Sequence, residues 1–290
     1  KPMPDTNVFT KIEDIILQDD IRGMKALRQH MPDGWLDSSA QLLIDHPGKV
    51  LIATGFYILR AKQPETDGPP GAVAIGNAIK ALGGTVAYVT DKNCMTVMRA
   101  IAGDDEIVDF PITTHRESSE FAHKRLVEHA PSALVSIERA GLLGDGTYRN
   151  WKGVDFSKHN AKIDHMFEEH PYSVGIGDGG NEIGMGNMRH VIPDIENLPD
   201  DPCITTTTEL ITASVSNWGG YGLIAALSLK TGKNLLPSVE QGYEWVKDIV
   251  AVGAVEGMTG ESKDWVDARA PEDDAMCLRD LHALLAAGGL

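Results

Sequence analysis

Lys49-Val-Leu-Ile-Ala-Thr54 is a run of apolar and β-branched residues closed by Gly55. It is too short for a helix of ordinary length and rich in strand formers, so it predicts a buried strand. Similar runs follow it: Thr85-Val-Ala-Tyr-Val-Thr90, Ile107-Val-Asp-Phe110, Ala133-Leu-Val-Ser-Ile137 and Tyr172-Ser-Val-Gly-Ile176, each stopped by Gly, Asp or Pro. Between them lie stretches of helical character at 71–82, 94–102, 118–129 and 164–170. Strand alternating with helix predicts an α/β fold, a largely parallel or mixed sheet flanked by helices.

Outward from this centre the patterns continue. Apolar residues at Ile12, Ile15, Ile16, Met24 and Leu27 recur near the helical period, which predicts one or two helices. Residues 1–35 are expected to be an N-terminal helical segment, and 36–290 the α/β domain. Thr205 to Thr208 is a further β-prone run, 218–229 and 237–252 read as helices, and Pro271-Glu-Asp-Asp274 reads as an acidic break before a final apolar helix.

The chain has 290 residues, with 26 Lys and Arg against 42 Asp and Glu, a net charge of −16. With 42% hydrophobic and 23% charged residues it can bury a core. Its negative charge repels phosphate backbones and anionic lipid surfaces, and no basic patch offsets it, so neither nucleic acid nor membrane is an expected partner. Cys94, Cys203 and Cys277 are scattered, which supports neither a disulfide framework nor a zinc site. No apolar run follows Lys1-Pro2-Met3-Pro4 or approaches bilayer length, so the expectation is a cytoplasmic protein. A homo-oligomer stays open.

Acids gather where the strands end. Glu65 and Asp67 follow the first strand, Asp91 and Lys92 the second, Glu138 and Arg139 the fourth, and Asp178 and Glu182 the fifth. Ligands of open α/β sheets bind outside the carboxyl ends of the strands, so these groups are expected to converge on one crevice. In Glu65-Thr-Asp67 two carboxylates spaced i, i+2 point to one side of an extended segment and could hold a hard cation, although the string also suits a surface turn. Gly175-Ile-Gly-Asp-Gly-Gly-Asn-Glu-Ile-Gly-Met-Gly186 packs glycines around Asp178, Asn181 and Glu182, letting amides approach a ligand at Gly179 and Gly180. It lacks the Lys-Ser/Thr of a P-loop and misses the dinucleotide fingerprint. Glu138 and Arg139 are adjacent and should face different partners; Glu138 is the inward choice. Ser216 or Asn217 could cap the helix they begin. Neither a nucleophile elbow nor a histidine zinc motif is present.

Thr54-Gly-Phe56, Glu65-Thr-Asp-Gly-Pro-Pro-Gly71, Val89-Thr-Asp91, Ser136-Ile-Glu-Arg-Ala-Gly141, the glycine loop 175–186, Val215-Ser-Asn-Trp-Gly-Gly-Tyr221 and Gly253-Ala-Val-Glu-Gly-Met-Thr-Gly260 together resemble the D-glutamate cyclase-like C-terminal domain family. The resemblance runs in order from about residue 40 to 270. It implies a lyase closing D-glutamate to 5-oxo-D-proline with loss of water, on a small anionic, amino-acid-like substrate. It also implies an acidic site suited to Mg²⁺ or Mn²⁺. Oxygen-only ligands fit such hard cations, and the expected metal ligands are Glu65, Asp67, Asp91, Asp178 and Glu182. Glu138, Lys92 and Arg139 are the expected catalytic groups. Thr54, Gly55, Gly179, Gly180, Asn181, Ser216 and Asn217 are the expected substrate contacts. The same acids also suit a metal-dependent phosphatase or other hydrolase of small anions, or a metal or amino-acid binding protein without turnover.

Overall fold

The computed structural model describes residues 6–290. Helices α1 (Thr6–Ile16), α2 (Met24–Arg28) and α3 (Trp35–Asp45) lead into strand β1 (Lys49–Thr54). A small antiparallel hairpin of β2 (Tyr57–Ile58) and β3 (Gln63–Pro64) precedes α4 (Pro69–Ala81), β4 (Thr85–Thr90), α5 (Met95–Ile101) and β5 (Glu106–Asp109). Then come α6 (His115–His129), β6 (Ala133–Ile137), α7 (Asp164–Glu169), β7 (Ser173–Gly177), β8 (Glu209–Thr212), α8 (Ser216–Thr231), α9 (Val239–Ala251) and α10 (Pro271–Ala287).

The main sheet has the order β5-β4-β1-β6-β7-β8 and every neighbouring pair in it is parallel. The chain winds outward from β1 to β5, returns beside β1 as β6, and winds outward the other way. The reversal lies between β1 and β6, the place where open parallel sheets form a ligand crevice.

Alternation along the strands divides the core. Val50 and Ile52 of β1, with Val86 and Tyr88 of β4, face the larger cluster that holds Ile75 of α4, Ile224 of α8 and Trp245 of α9. Leu51, Ala53, Ala87 and Val89 face the other side, towards Leu126 of α6 and Phe167 of α7. Helix α1 lays Phe9, Ile12 and Ile16 into the larger cluster, so the N-terminal helices join the same core as the sheet.

Two expectations need correction. Residues 205–208 are not a strand: the Thr205 carbonyl accepts from the N–H groups of Gly184 and Gly186, and Thr207 N–H donates to Asn187 Oδ1. Their backbone groups are spent on the glycine loop, and the edge strand starts only at Glu209. Pro271-Glu-Asp-Asp274 is not a break either but the first turn of α10, where proline lacks a donor that would be unsatisfied anyway and acids meet the positive helix end.

Helices α4 and α8 touch almost backbone to backbone beneath the crevice. A Cβ on Gly71 would lie 2.6 Å from Ile137 Cδ1, 2.9 Å from Asn217 Oδ1 and 3.1 Å from Asn217 Cα. The Asn217 backbone cannot yield without moving α8. Gly71→Ala is therefore expected to destabilise the protein by roughly 1–3 kcal/mol in chemical denaturation, as overpacking does; an unchanged midpoint would show that the two helices separate freely.

Candidate active site

The crevice opens above the carboxyl ends of β1, β6 and β7 as a cleft of about 250 Å³. Glu65, Glu138, Asp178, Gly179, Asn181 and Glu182 line it together with Arg22. Backbone geometry sets these groups in place. Glu138 ends β6 with φ 45°, a left-handed conformation costly for a non-glycine residue, so the strand stops at Ile137 and Glu138 turns into the cleft. Opposite, Gly68 has φ 101°, and a Cβ there would lie 2.8 Å from both Glu138 Cβ and Thr54 Oγ1. Only glycine lets the 65–71 turn approach this closely.

Asp67 Oδ2 accepts the N–H of Ser216 at 2.8 Å, and its Oδ1 accepts that of Asn217 at 2.7 Å. A carboxylate from another segment thus satisfies the start of α8. Ser216 and Asn217 do not cap their own helix, contrary to the sequence expectation. Asn217 Oδ1 instead receives the N–H groups of Gly68 and Gly71, and Ser216 Oγ donates to Glu138 Oε2. One cross-link therefore serves both the α4–α8 junction and the acid floor.

The glycine loop is closed on itself. Glu182 Oε1 accepts from Asp178 N–H at 2.9 Å and Gly179 N–H at 2.5 Å, while Oε2 accepts from Gly180 N–H at 2.7 Å. The amides of Gly179 and Gly180 thus serve Glu182. Asn181 lines the cleft and donates from Nδ2 to the Arg149 carbonyl.

Asp91, Lys92 and Arg139 stand apart from the acid floor. Arg139 Nη2 lies 2.6 Å from Asp91 Oδ2 in a buried pair, and its guanidinium also donates to the carbonyls of Gly55 and Ala161. The alternation after β6 sends Glu138 to the cleft and Arg139 beneath it, where it fixes Gly55. Lys92 is exposed and does not line the cleft.

Two site residues escaped the sequence reading. Arg22, from the loop between α1 and α2, inserts its guanidinium among the acids, with Nη1 2.8 Å from Asp178 Oδ2 and 2.6 Å from Asp267 Oδ2. Asp267, with φ 45°, comes from the last loop before α10. That loop is held by buried Glu256, which accepts the N–H groups of Met258, Thr259 and Ala268. A glycine-rich string around Glu256 was a sequence signal for this loop; no local signal marks Arg22.

The electrostatics are severe. Burial first, then the neighbouring carboxylates, push Glu65 and Glu138 well above the usual carboxylate range. Burial also pushes Asp178 well up, against the pull of Arg22. Burial and Asp267 raise Asp67 to about 7 despite the α8 amides. Burial acts upward on Asp267 too, but the charge of Arg22 prevails and holds it low. Two buried trios, Asp67 with Asp178 and Asp267, and Glu138 with Asp178 and Glu182, each offer oxygens within 4.8 Å of one another. A hard divalent cation fits this set: the donors are all oxygen and their negative charge exceeds that of Arg22.

A family model described as D-glutamate cyclase-like, C-terminal, matches residues 12–282. The chain belongs to that family. Over 208 residues it is 36% identical to a human protein named D-glutamate cyclase, mitochondrial, covering 65% of this chain and 34% of the relative. The chain thus spans about a third of the curated relative it matches. A solved exopolyphosphatase-related protein from Bacteroides fragilis aligns over 87% of this chain and 57% of its own, with a TM-score of 0.43 and 11% identity. Among the described residues no helix is long and apolar enough to cross a membrane.

These shifts fix the sign of a pH effect. Glu65, Asp67, Glu138 and Asp178 hold protons more tightly folded than unfolded, so their contribution is full below the ordinary carboxyl range and is lost as pH rises through the folded values. In chelator the melting temperature should fall between about pH 5 and pH 8, and Mn²⁺ should restore more of it at the upper end. A flat profile that Mn²⁺ leaves unmoved would show that the floor is not a cation site.

Proposed function

We propose that the chain is a metal-assisted lyase that closes D-glutamate to 5-oxo-D-proline with loss of water. The observation that carries this reading is the convergence of buried carboxylates, Glu65, Glu138, Asp178 and Glu182 on one cleft at the sheet's reversal with Asp67 and Asp267 beside Asp178, in a member of the D-glutamate cyclase-like family.

Lactam closure needs an uncharged amine to attack a carboxylate carbon whose own charge resists attack. The acid floor holds the substrate ammonium. Glu138, oriented by the Ser216 hydroxyl, is the group that takes a proton from that ammonium and returns one to the departing oxygen. Burial and the neighbouring carboxylates raise its pKa, which makes it a stronger base than an ordinary carboxylate. Asp178 with Glu138 and Glu182, or with Asp67 and Asp267, would hold Mg²⁺ or Mn²⁺, and such an ion would supply Lewis-acid polarisation of the reacting carboxylate. Glu65 adds a buried carboxyl group to the floor. Arg22 holds Asp178 and Asp267 in position, and the Arg139–Asp91 pair holds the Gly55 turn beneath them. At the mouth, Arg60 and Lys152 bring positive charge towards the substrate α-carboxylate.

Incubation with D-glutamate and Mn²⁺ or Mg²⁺ should give 5-oxo-D-proline by chiral chromatography, and chelator should stop it. Glu138→Gln is expected to lower turnover at least a hundredfold, about 2.7 kcal/mol, with the melting temperature unchanged or raised. Full activity in that variant would remove Glu138 from the chemistry. Calorimetry should show Mn²⁺ binding that Asp178→Asn weakens tenfold or more, about 1.4 kcal/mol. Turnover of phosphoesters instead of D-glutamate would replace the lyase reading with a hydrolase, and metal binding without any turnover would leave a binding protein.

A further inference from the structure

The cleft carries its acids at the floor, whereas its mouth mixes the polar groups Arg60, Asn150 and Lys152 with a run of apolar side chains. Towards solvent it is walled by Tyr57, Ile58 and Leu59 of the β2 turn, by Trp151 and Val154 of the 142–156 loop, and by Met258. Trp151 and Val154 are 54% and 49% exposed, large apolar groups with no core to cover them. This collar is continuous with the acid floor, since the same cleft reaches Glu65, Glu138 and Asp178. Free glutamate offers such a wall two methylenes, and it brings a net charge of −1 to a floor already rich in carboxylates. A glutamate whose side-chain carboxyl is an amide has no net charge. It also carries a substituent that an apolar wall can bury.

We propose that this cleft takes γ-glutamyl amides bearing an apolar substituent, a substrate class that rests on the cyclase reading above. In the reaction the α-amine nitrogen bonds to the γ-carbonyl carbon and the bond from that carbon to the amide nitrogen breaks. Of the three ammonium protons one stays on the lactam nitrogen and two pass to the leaving nitrogen, so a zwitterionic substrate gives 5-oxoproline anion and an alkylammonium ion. Neither water nor an oxidant is consumed. Apolar burial of the substituent against Trp151 contributes binding that D-glutamate cannot realise.

The test compares kcat/KM for D-glutamate, D-γ-glutamyl methylamide and D-γ-glutamyl benzylamide under identical metal conditions, with 5-oxoproline and released amine both measured. The benzylamide is expected to exceed both others by about tenfold or more, and Trp151→Ala should lower its value several-fold more than that of the methylamide. Turnover of D-glutamate with a slower or equal benzylamide reaction would overturn the inference and leave the cyclase reading standing. Turnover of the amides without that of D-glutamate would overturn the free-glutamate reading and keep the inference. No lactam from any of the three would overturn both.

Discussion

Carboxylates buried within a few ångströms of one another repel, and the site is organised by the ways in which that repulsion is met. Each acid has a different answer. Glu182 is wrapped by three amides of its own loop, Asp67 lies on the amide end of α8, and Asp178 and Asp267 share the Arg22 guanidinium. Among the described residues, the Glu138 carboxyl group receives only the Ser216 hydroxyl. Glu65 and Glu138 are pushed well above the usual carboxylate range by burial and then by the neighbouring carboxylates. A cleft in this condition is prepared for positive charge, whether from a cation or from a substrate ammonium.

The scaffold around the acids is rigid where the acids need it to be. The crossing of α4 and α8 at Gly71 and Gly220 brings the 65–71 turn against the start of α8, and Asn217 ties the two through the amides of Gly68 and Gly71. Below, the Arg139–Asp91 pair grips the Gly55 carbonyl and the Ala161 segment, fixing the exits of β1 and β4. Glu138 and Asp267 both adopt positive φ, the kind of backbone cost tolerated where surrounding contacts over-determine a position.

The mouth differs in kind from the floor. Its walls are the β2–β3 hairpin and the 142–156 loop, whose turns are shaped by Asp145 and Asp155 accepting the amides of Thr147 and Ser157. These walls carry most of the cleft's apolar side chains, whereas its buried acids lie at the sheet's carboxyl edge.

By itself the sequence determined the parallel α/β core, since each short apolar run between helical stretches had one economical place, in a sheet covered on both faces. It also pointed to a meeting of the acids at the ends of β1, β4, β6 and β7, because the carboxyl ends of parallel strands share one edge, and all of these but the β4 acid Asp91 reach the acid floor. It marked the tight turns through Gly68 and the glycine loop. What it did not contain was the identity of partners distant in the chain. Arg22 reaches Asp178 and Asp267 from a loop that looked like a mere lead-in to the domain, and Asp91 and Arg139, adjacent in pattern to the other acids, neutralise each other beneath the floor. Thr205 to Thr208 has the composition of a strand, yet the glycine loop claims its hydrogen-bonding groups. Local periodicity reports which face of an element is buried; only the folded chain decides which charges a buried group meets, because electrostatic pairing depends on distance in space and not along the sequence.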